Sequence, residues 1–233
     1  MTQSNGPAAL IASDLTTTYG QVRALAGVSL AVPAGQSLAV MGPSGSGKTT
    51  LLHCLAGIRV PDSGEVRLGD VPVSSLGDAA RSRLRRERLG FVFQDGQLVP
   101  ELSARENVAL PLMLGGTSRG PALKEAESWL ERLGIGHAAG RRPGEMSGGQ
   151  AQRVAVARAM VHGPSVVFAD EPTGALDQAT GHEVMQVLTT TTRMTGATLV
   201  VVTHDTQVAS WCERLVELRD AMIHADTKME AAR

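Results

Sequence analysis

Apolar and polar positions follow two rhythms along the chain, and each change of rhythm marks a change of element. From Leu10 to Val40 the pattern is strand-like: LIASDL, then RALAGVSLAV, broken at Pro33–Gly35 before the short apolar run SLAVM. Short apolar runs bounded by turn residues fit a pleated, largely buried surface. Lys48 to Ala56 switches to helical character and stops at Gly57. The turn PDSG, Pro61 to Gly64, introduces EVRLGDVPV, whose inner Gly69–Asp70 predicts a hairpin. Residues 76–88, including RSRLRRER, read as a helix feeding the apolar strand LGFVF.

The middle of the chain is different. SARE, Ser103 to Glu106, has the spacing of a capping box, in which serine caps a backbone amide and glutamate reaches back. PALKEAESWLERLG starts with proline and ends with glycine, the expected asymmetry of a helix. Residues 101–160 therefore read as helical. Strand and helix then alternate: SVVFAD a strand, roughly 178–195 a helix, ATLVVVTH a strand, then a shorter helix and a strand pair near LVELRD and AMIHA. Apolar strands alternating with helices predict an α/β fold whose mainly parallel sheet is covered on both faces. Met1 to Ala8 is polar and small and is expected to be a loose arm.

Composition narrows the function classes. A chain of 233 residues is one large domain, or one with a subdomain. Hydrophobic residues make up 42% but aromatics only 3%, so aliphatic and small side chains must build the core. With 22 basic and 23 acidic residues the net charge is −1, so a strongly basic nucleic-acid binder is not suggested, although a local basic patch is left open. The arginine-rich segment is expected to be a solvated helix face. Cys54 and Cys212 have no metal-binding spacing and read as packed small residues in a reducing compartment. The longest apolar runs, such as TLVVVT, fall far short of the ~20 residues of a membrane helix. The expectation is a cytoplasmic chain that serves a membrane, if at all, from outside the bilayer.

The chemistry concentrates in three places. GPSGSGKT, Gly42 to Thr49, fits GxxxxGK[ST]. Its glycines let backbone N–H groups turn inward, and the helix opening at Lys48 adds unpaired N–H groups and its positive end. Lys48 can reach β- and γ-phosphates, and Thr49 can ligate Mg²⁺. The chain holds only three lysines, Lys48, Lys124 and Lys228, and one falls here. VVFADEP then supplies carboxylates at a strand end, the carboxyl edge of a doubly wound sheet. Asp170 can hold Mg²⁺ through water, and Glu171 can act as general base toward a water. In MSGGQAQRVAVARAM, Ser147 and Gln150 again have capping-box spacing, and Gly148 and Gly149 expose a second helix N-terminus suited to an anion.

Taken in order, GPSGSGKT, the glutamine of FVFQ, MSGGQ, VVFADEP, GALD and the histidine of VVTHD resemble the nucleotide-binding subunit of an ABC transporter, over about residues 10–224. The resemblance implies a RecA-like P-loop core with an antiparallel β-subdomain (about 10–94 and 161–224) and an α-helical subdomain (about 95–160), with no appended domain expected. It implies ATP and Mg²⁺ as cofactors and a head-to-tail homodimer with two ATP molecules between the loop of one subunit and the signature of the other. Gly42, Pro43, Ser44, Gly45, Ser46, Gly47, Lys48, Thr49 and Thr50 would hold nucleotide, with Ser147, Gly148, Gly149 and Gln150 of the other subunit. Tyr19 stands where the family stacks an aromatic on adenine. Gln94 matches the glutamine that senses Mg²⁺ and attacking water and links to the membrane partner. Asp177 matches the aspartate that touches the opposite subunit, and His204 the histidine at the γ-phosphate. Met146 departs from the usual leucine, a swap of flexible apolar residues expected to matter little.

FVFQDGQLVPELSARENVALPLML and EPTGALD resemble the lipoprotein-release and macrolide-export group, which includes a cell-division ATPase with a similar permease. That resemblance implies an integral membrane permease as partner, a place on the inner face of the membrane, and export or extracytoplasmic mechanical work. It leaves open a cell-division regulatory ATPase. A nucleic-acid-associated ABC ATPase fits less well, because the chain has no coiled-coil insertion or second cassette; no nucleic-acid partner is expected. Leu98 and Val99, after Gln94, are expected to form a docking groove for a short cytoplasmic helix of the permease.

Overall fold

The computed structural model describes residues 8–229. The expected arm therefore lies outside the described residues except for Ala8, which opens the first strand. Strands β1 (Ala8–Tyr19) and β2 (Val22–Pro33) are followed by β3 (Ser37–Met41), α1 (Lys48–Leu55), β4 (Ser63–Leu68) and β5 (Val71–Pro72). Helix α2 (Asp78–Arg88) runs into β6 (Leu89–Phe93), and then come α3 (Ala104–Leu114), α4 (Arg119–Arg132) and α5 (Gly148–Met160). The chain closes with β7 (Val166–Asp170), α6 (Gln178–Thr195), β8 (Thr198–Val202), α7 (Thr206–Ala209), β9 (Arg214–Arg219) and β10 (Met222–Lys228).

Two sheets result. One is four-stranded and antiparallel, in the order β2-β1-β4-β5; the other is six-stranded, in the order β10-β9-β3-β8-β7-β6. In the second, β9, β3, β8, β7 and β6 run parallel, and β10 is an antiparallel edge. The alternation along each parallel strand divides the core. Leu38, Val40, Phe168, Val200 and Val202 join the cluster that contains α1 and the antiparallel sheet. Their neighbours Ala39, Val167, Ala169, Leu199 and Val201 join the cluster built on α3, α4, α5 and α6. Burial on both faces explains why these strands are continuous apolar runs.

Local chemistry sets the helix ends. Ser103 N–H donates to Glu106 Oε2 at 3.0 Å, and Glu106 N–H donates to Ser103 Oγ at 3.4 Å, which is the expected capping box. Helix α4 starts at Arg119 after Ser118, two residues ahead of Pro121. Proline is tolerated there because first-turn N–H groups have no partner within the helix. Most arginines of α2 are spent inside the chain. Arg81 donates to Leu76 O at 2.5 Å, Arg85 to Gly57 O at 2.6 Å, and Arg88 to Ser165 Oγ at 3.3 Å. Both cysteines are buried free thiols, and burial pushes Cys212 up to about 12. Among the described residues, no helix is long and apolar enough to cross a membrane.

Candidate functional site

Strand register brings the candidate residues to one edge. Val40 of β3 lies opposite Val202 of β8, Val202 opposite Asp170 of β7, and Asp170 opposite Phe93 of β6. The chain leaves these carboxyl ends as the glycine loop, Thr203–His204, Glu171 and Gln94 respectively. Two backbone bonds close the edge: Thr203 N–H to Val40 O at 3.1 Å and Glu171 N–H to Val202 O at 2.9 Å.

The loop is shaped by its neighbours. Gly47 has φ 101, and a Cβ there would collide with the Ala24 carbonyl on β2, so the residue before α1 must be glycine. Lys48 Nζ donates to Gly42 O at 2.8 Å and Pro43 O at 2.9 Å, which holds its ammonium at the loop. Thr49 Oγ1 donates to Asp170 Oδ2 at 3.5 Å, so the first turn of α1 meets the end of β7. Ser46 Oγ is buried without a hydrogen-bond partner among the described residues.

Asp170 and Glu171 sit in different surroundings. Burial raises the Asp170 carboxyl above the ordinary range, and the adjacent Glu171 charge adds to this. Glu171 has φ 47, a left-handed conformation that costs a non-glycine residue ~1–3 kcal/mol. Its Oε2 accepts from Thr203 Oγ1 at 3.1 Å, and its Oε1 lies 2.8 Å from His204 Nδ1. The His204 side chain is 73% exposed and Glu171 only 21%, so the histidine reaches outward from a carboxylate set into the edge.

The second helix end is built by close packing. Ser147 caps α5: Gln150 N–H donates to Ser147 Oγ at 3.2 Å, and Ser147 N–H donates to Gln150 Oε1 at 3.1 Å. A Cβ on Gly149 would collide with the Thr180 methyl, and one on Gly148 would lie 2.9 Å from Leu176 Cδ2. The glycines thus bring the N-terminus of α5 against that of α6. Asp177 caps α6, accepting from Thr180 N–H at 3.0 Å and Thr180 Oγ1 at 2.6 Å. These bonds hold its carboxyl below the ordinary range. Gln94 lies against Gly174, where a Cβ would stand 3.0 Å from its Nε2. Tyr19 is 47% exposed at the tip of the β1–β2 hairpin, with the Arg59 guanidinium 4.1 Å from its ring centroid. Met146 is half-buried against the helical-side core.

Several contacts were not anticipated from sequence. Gln152 on α5 donates to Phe93 O at 2.8 Å, and Arg158 donates to Gly96 O at 2.6 Å and Gln97 O at 2.7 Å, so α5 grips the segment that carries Gln94. The signal was a lone arginine interrupting the apolar run VAVARAM, since a buried guanidinium requires acceptors. Leu98 and Val99, expected to form a docking groove, lie on an anchored loop. Leu98 packs against the core, and Val99 is tied to buried Asn107 through Val99 N–H to Oδ1 at 2.7 Å and Nδ2–H to Val99 O at 3.0 Å. These bonds pin the loop backbone, and both side chains are half-buried. The open groove lies beside it, about 510 Å³, walled by Phe91, Phe93, Leu110 and Leu114 and rimmed by Arg85 and Arg86.

Known proteins share this arrangement. A family model described as ABC transporter matches residues 25–174. The chain is 45% identical over 217 residues to the lipoprotein-releasing system ATP-binding protein LolD of Geobacter metallireducens, covering 91% of this chain and 96% of that one. It is 42% identical over 224 residues to the macrolide export ATP-binding/permease protein MacB of Chlorobaculum tepidum, where 94% of this chain spans only 34% of that protein. The dimeric structure of the ATP-binding cassette MJ0796 bound to ADP and Pi superposes with a TM-score of 0.86 at 38% identity, over 96% of this chain and 100% of that one. The structure of cbiO1 from Clostridium perfringens, part of the transporter complex cbiONQ, gives 0.87 at 27% identity, over 95% and 89%. The chain belongs to the ABC transporter family and is an ATPase of it.

Proposed function

We propose that this chain hydrolyses ATP in a head-to-tail homodimer on the inner face of the cell membrane. It would drive a separate permease of the lipoprotein-release or macrolide-export kind. One observation carries the reading: Lys48, Thr49, Asp170, Glu171 and His204 converge at one sheet edge, while Ser147 is bonded to Gln150 within the first turn of its own helix. Half of a phosphate site is therefore supplied without the signature, as a shared site requires. The dimeric cassettes among the similar structures and the named functions of the two relatives support it.

In this reading residues 42–50 and Lys48 bind the phosphates, and Tyr19 stacks on the base. The hard oxygen donors of Thr49 and Asp170, helped by Gln94, suit Mg²⁺, which takes one or two protein ligands beside phosphate oxygens. When bound, the ion would neutralise charge developing on those oxygens. Glu171 accepts the proton of the attacking water. His204, held through Nδ1 by Glu171, turns its other nitrogen to the γ-phosphate. Ser147, Gly148, Gly149 and Gln150 of the second copy close the site, with Asp177 beside them. Residues of about 95–160 act as a helical subdomain that carries this signature.

Mixing two inactive variants tests the shared site. Lys48→Ala removes the charge facing phosphate, and Ser147→Arg blocks the signature, so each alone should hydrolyse little ATP. Their mixture should recover part of the turnover, because some dimers then hold one intact composite site. Ser147→Arg protein that hydrolyses ATP at the wild-type rate by itself would overturn the model.

A further inference from the structure

The reading above gives Tyr19 to the base but does not say what holds its ring. The tyrosine stands at the end of β1, where the chain turns through Gly20–Gln21 into Val22, and Val22 is itself 68% exposed. An exposed ring at a hairpin tip has rotamer freedom to lose before it can stack on anything. In this chain the loss is already taken. The Arg59 guanidinium carbon lies 4.1 Å from the ring centroid, at stacking distance on one face.

Arg59 is fixed in turn. Its Nη2 donates to Thr18 O at 3.0 Å and lies 4.0 Å from Asp62 Oδ1. Asp62 Oδ2 accepts from both Thr18 N–H and Thr18 Oγ1 at 2.6 Å. Those two bonds hold the Asp62 carboxyl below the ordinary range, so it stays an anion beside the guanidinium. Asp62 N–H donates to Thr16 O at 2.8 Å, which closes the loop onto β1. The residues beside the ring are thus tied to one another before any base arrives.

The other end of the network is the phosphate side. Arg59 lies four residues past the end of α1 and is tied back to it, its N–H donating to His53 O at 3.0 Å. Helix α1 begins at Lys48, in the phosphate loop, and is eight residues long, about 12 Å at 1.5 Å per residue. At its start Gly47 presses on the Ala24 carbonyl, in the strand that pairs with the one ending in Tyr19. One rigid helix therefore spaces the phosphate loop from the residue that braces the tyrosine.

Resting on the base-stacking role given above to Tyr19, we propose that Arg59 is a positioning residue that braces the Tyr19 ring as a platform for the adenine. It leaves the opposite face for the base and transmits the position of α1 to that platform.

The test separates base from phosphate. Equilibrium affinities for Mg-ATP and for inorganic tripolyphosphate, which has no base, are measured for wild type, Arg59→Ala, Arg59→Lys, Tyr19→Ala and the double variant Arg59→Ala/Tyr19→Ala. Arg59→Ala should weaken ATP about two- to fivefold, the factor equivalent to a cation–π contact of ~0.5–1 kcal/mol, and leave tripolyphosphate unchanged. The loss should show in KM rather than kcat. Arg59→Lys, with a charge but no planar stack, should fall between. In the Tyr19→Ala background, Arg59→Ala should have no further effect, because its only route to the base is then gone. Equal loss for ATP and tripolyphosphate, or additive losses in the double variant, would overturn the proposal. If Tyr19→Ala itself leaves ATP affinity unchanged, the base-stacking role of Tyr19 fails first, and the Arg59 proposal fails with it.

Discussion

His204 Nδ1 lies 2.8 Å from Glu171 Oε1, and the other carboxylate oxygen of Glu171 accepts from Thr203 at 3.1 Å. Both oxygens are therefore oriented by residues that follow β8, and the backbone of Glu171 is fixed in a left-handed conformation. An amide at this position has nearly the same shape but only one acceptor oxygen, and it cannot take a proton from water. Glu171→Gln should retain ATP binding and lose about 10²–10⁴ in turnover, the usual worth of general-base help. At ~1.4 kcal/mol per decade that is about 3–5 kcal/mol of barrier. Size-exclusion chromatography with ATP should show the variant accumulating as dimer. Turnover near the wild-type rate removes Glu171 from the role.

Gly149 and the Thr180 methyl compete for the same space. Gly149→Ala should therefore push the N-termini of α5 and α6 apart and disturb Ser147 and Asp177 together. Overpacking of this kind costs ~1–3 kcal/mol, more than the ~0.5–1 kcal/mol that alanine gains over glycine in a helix. Thermal stability and turnover should both fall. Adding Thr180→Ser removes the methyl and keeps the hydroxyl that donates to Asp177 at 2.6 Å. The double variant should return to wild-type stability or above. If serine at 180 restores nothing, the clash is not the cause.

These two cases show where the sequence was legible. Lys48 with Thr49, Asp170 with Glu171, and the Ser103–Glu106 box each lie in one contiguous stretch, so each local motif could be read from its spacing. The parallel sheet was legible because strands buried on both faces must be apolar throughout. Gly149 was read as a bare helix end, but the residue that requires glycine there is Thr180, on another helix. Arg59 beneath Tyr19 and Arg158 on Gly96 and Gln97 are likewise pairs that only the folded chain brings together. Leu98 and Val99 were read as a docking groove from their apolar character, but the residue that anchors their loop, buried Asn107, lies on α3.

Glu106 carries a pH-dependent share of the stability. Hydrogen bonds from Ser103 N–H first, then the Ser103 hydroxyl, then Arg119, lower its carboxyl to about 2. A folded value below the unfolded one means that this stability is present above ~pH 4.5 and is lost as the pH falls toward 2. Arg119 is 64% exposed, so the ion pair adds little and the cap supplies most of it, about 1 kcal/mol. Glu106→Gln should melt a few degrees lower at neutral pH, at ~2–4 °C per kcal/mol for a chain of this size. The two melting curves should converge as the pH drops through this window. Curves that stay parallel would exclude Glu106 as a source of acid lability.

In the complex proposed above, the permease should dock in the groove beside the edge strand β6. Leu114 is 61% and Ile58 45% exposed there, and both line the groove with Phe91 and Leu110. Arg86 on its rim makes no hydrogen bond or ion pair among the described residues, while neighbouring Arg85 is bound to Gly57 O. An apolar floor with a free cation at the rim fits an amphipathic segment carrying an acidic residue. Arg158 lines the same groove and holds the carbonyls of Gly96 and Gln97, so an occupant that shifts it would shift the segment bearing Gln94. Coupling of that kind is reciprocal, and ATP should change permease affinity by the factor that the permease changes ATP affinity. Leu114→Asp should abolish co-purification with the permease, Arg86→Glu should weaken it, and both should leave ATP affinity nearly unchanged. Leu98→Asp should instead lower the melting temperature, because that side chain packs inward. Wild-type recovery of the permease with Leu114→Asp would place the docking surface elsewhere.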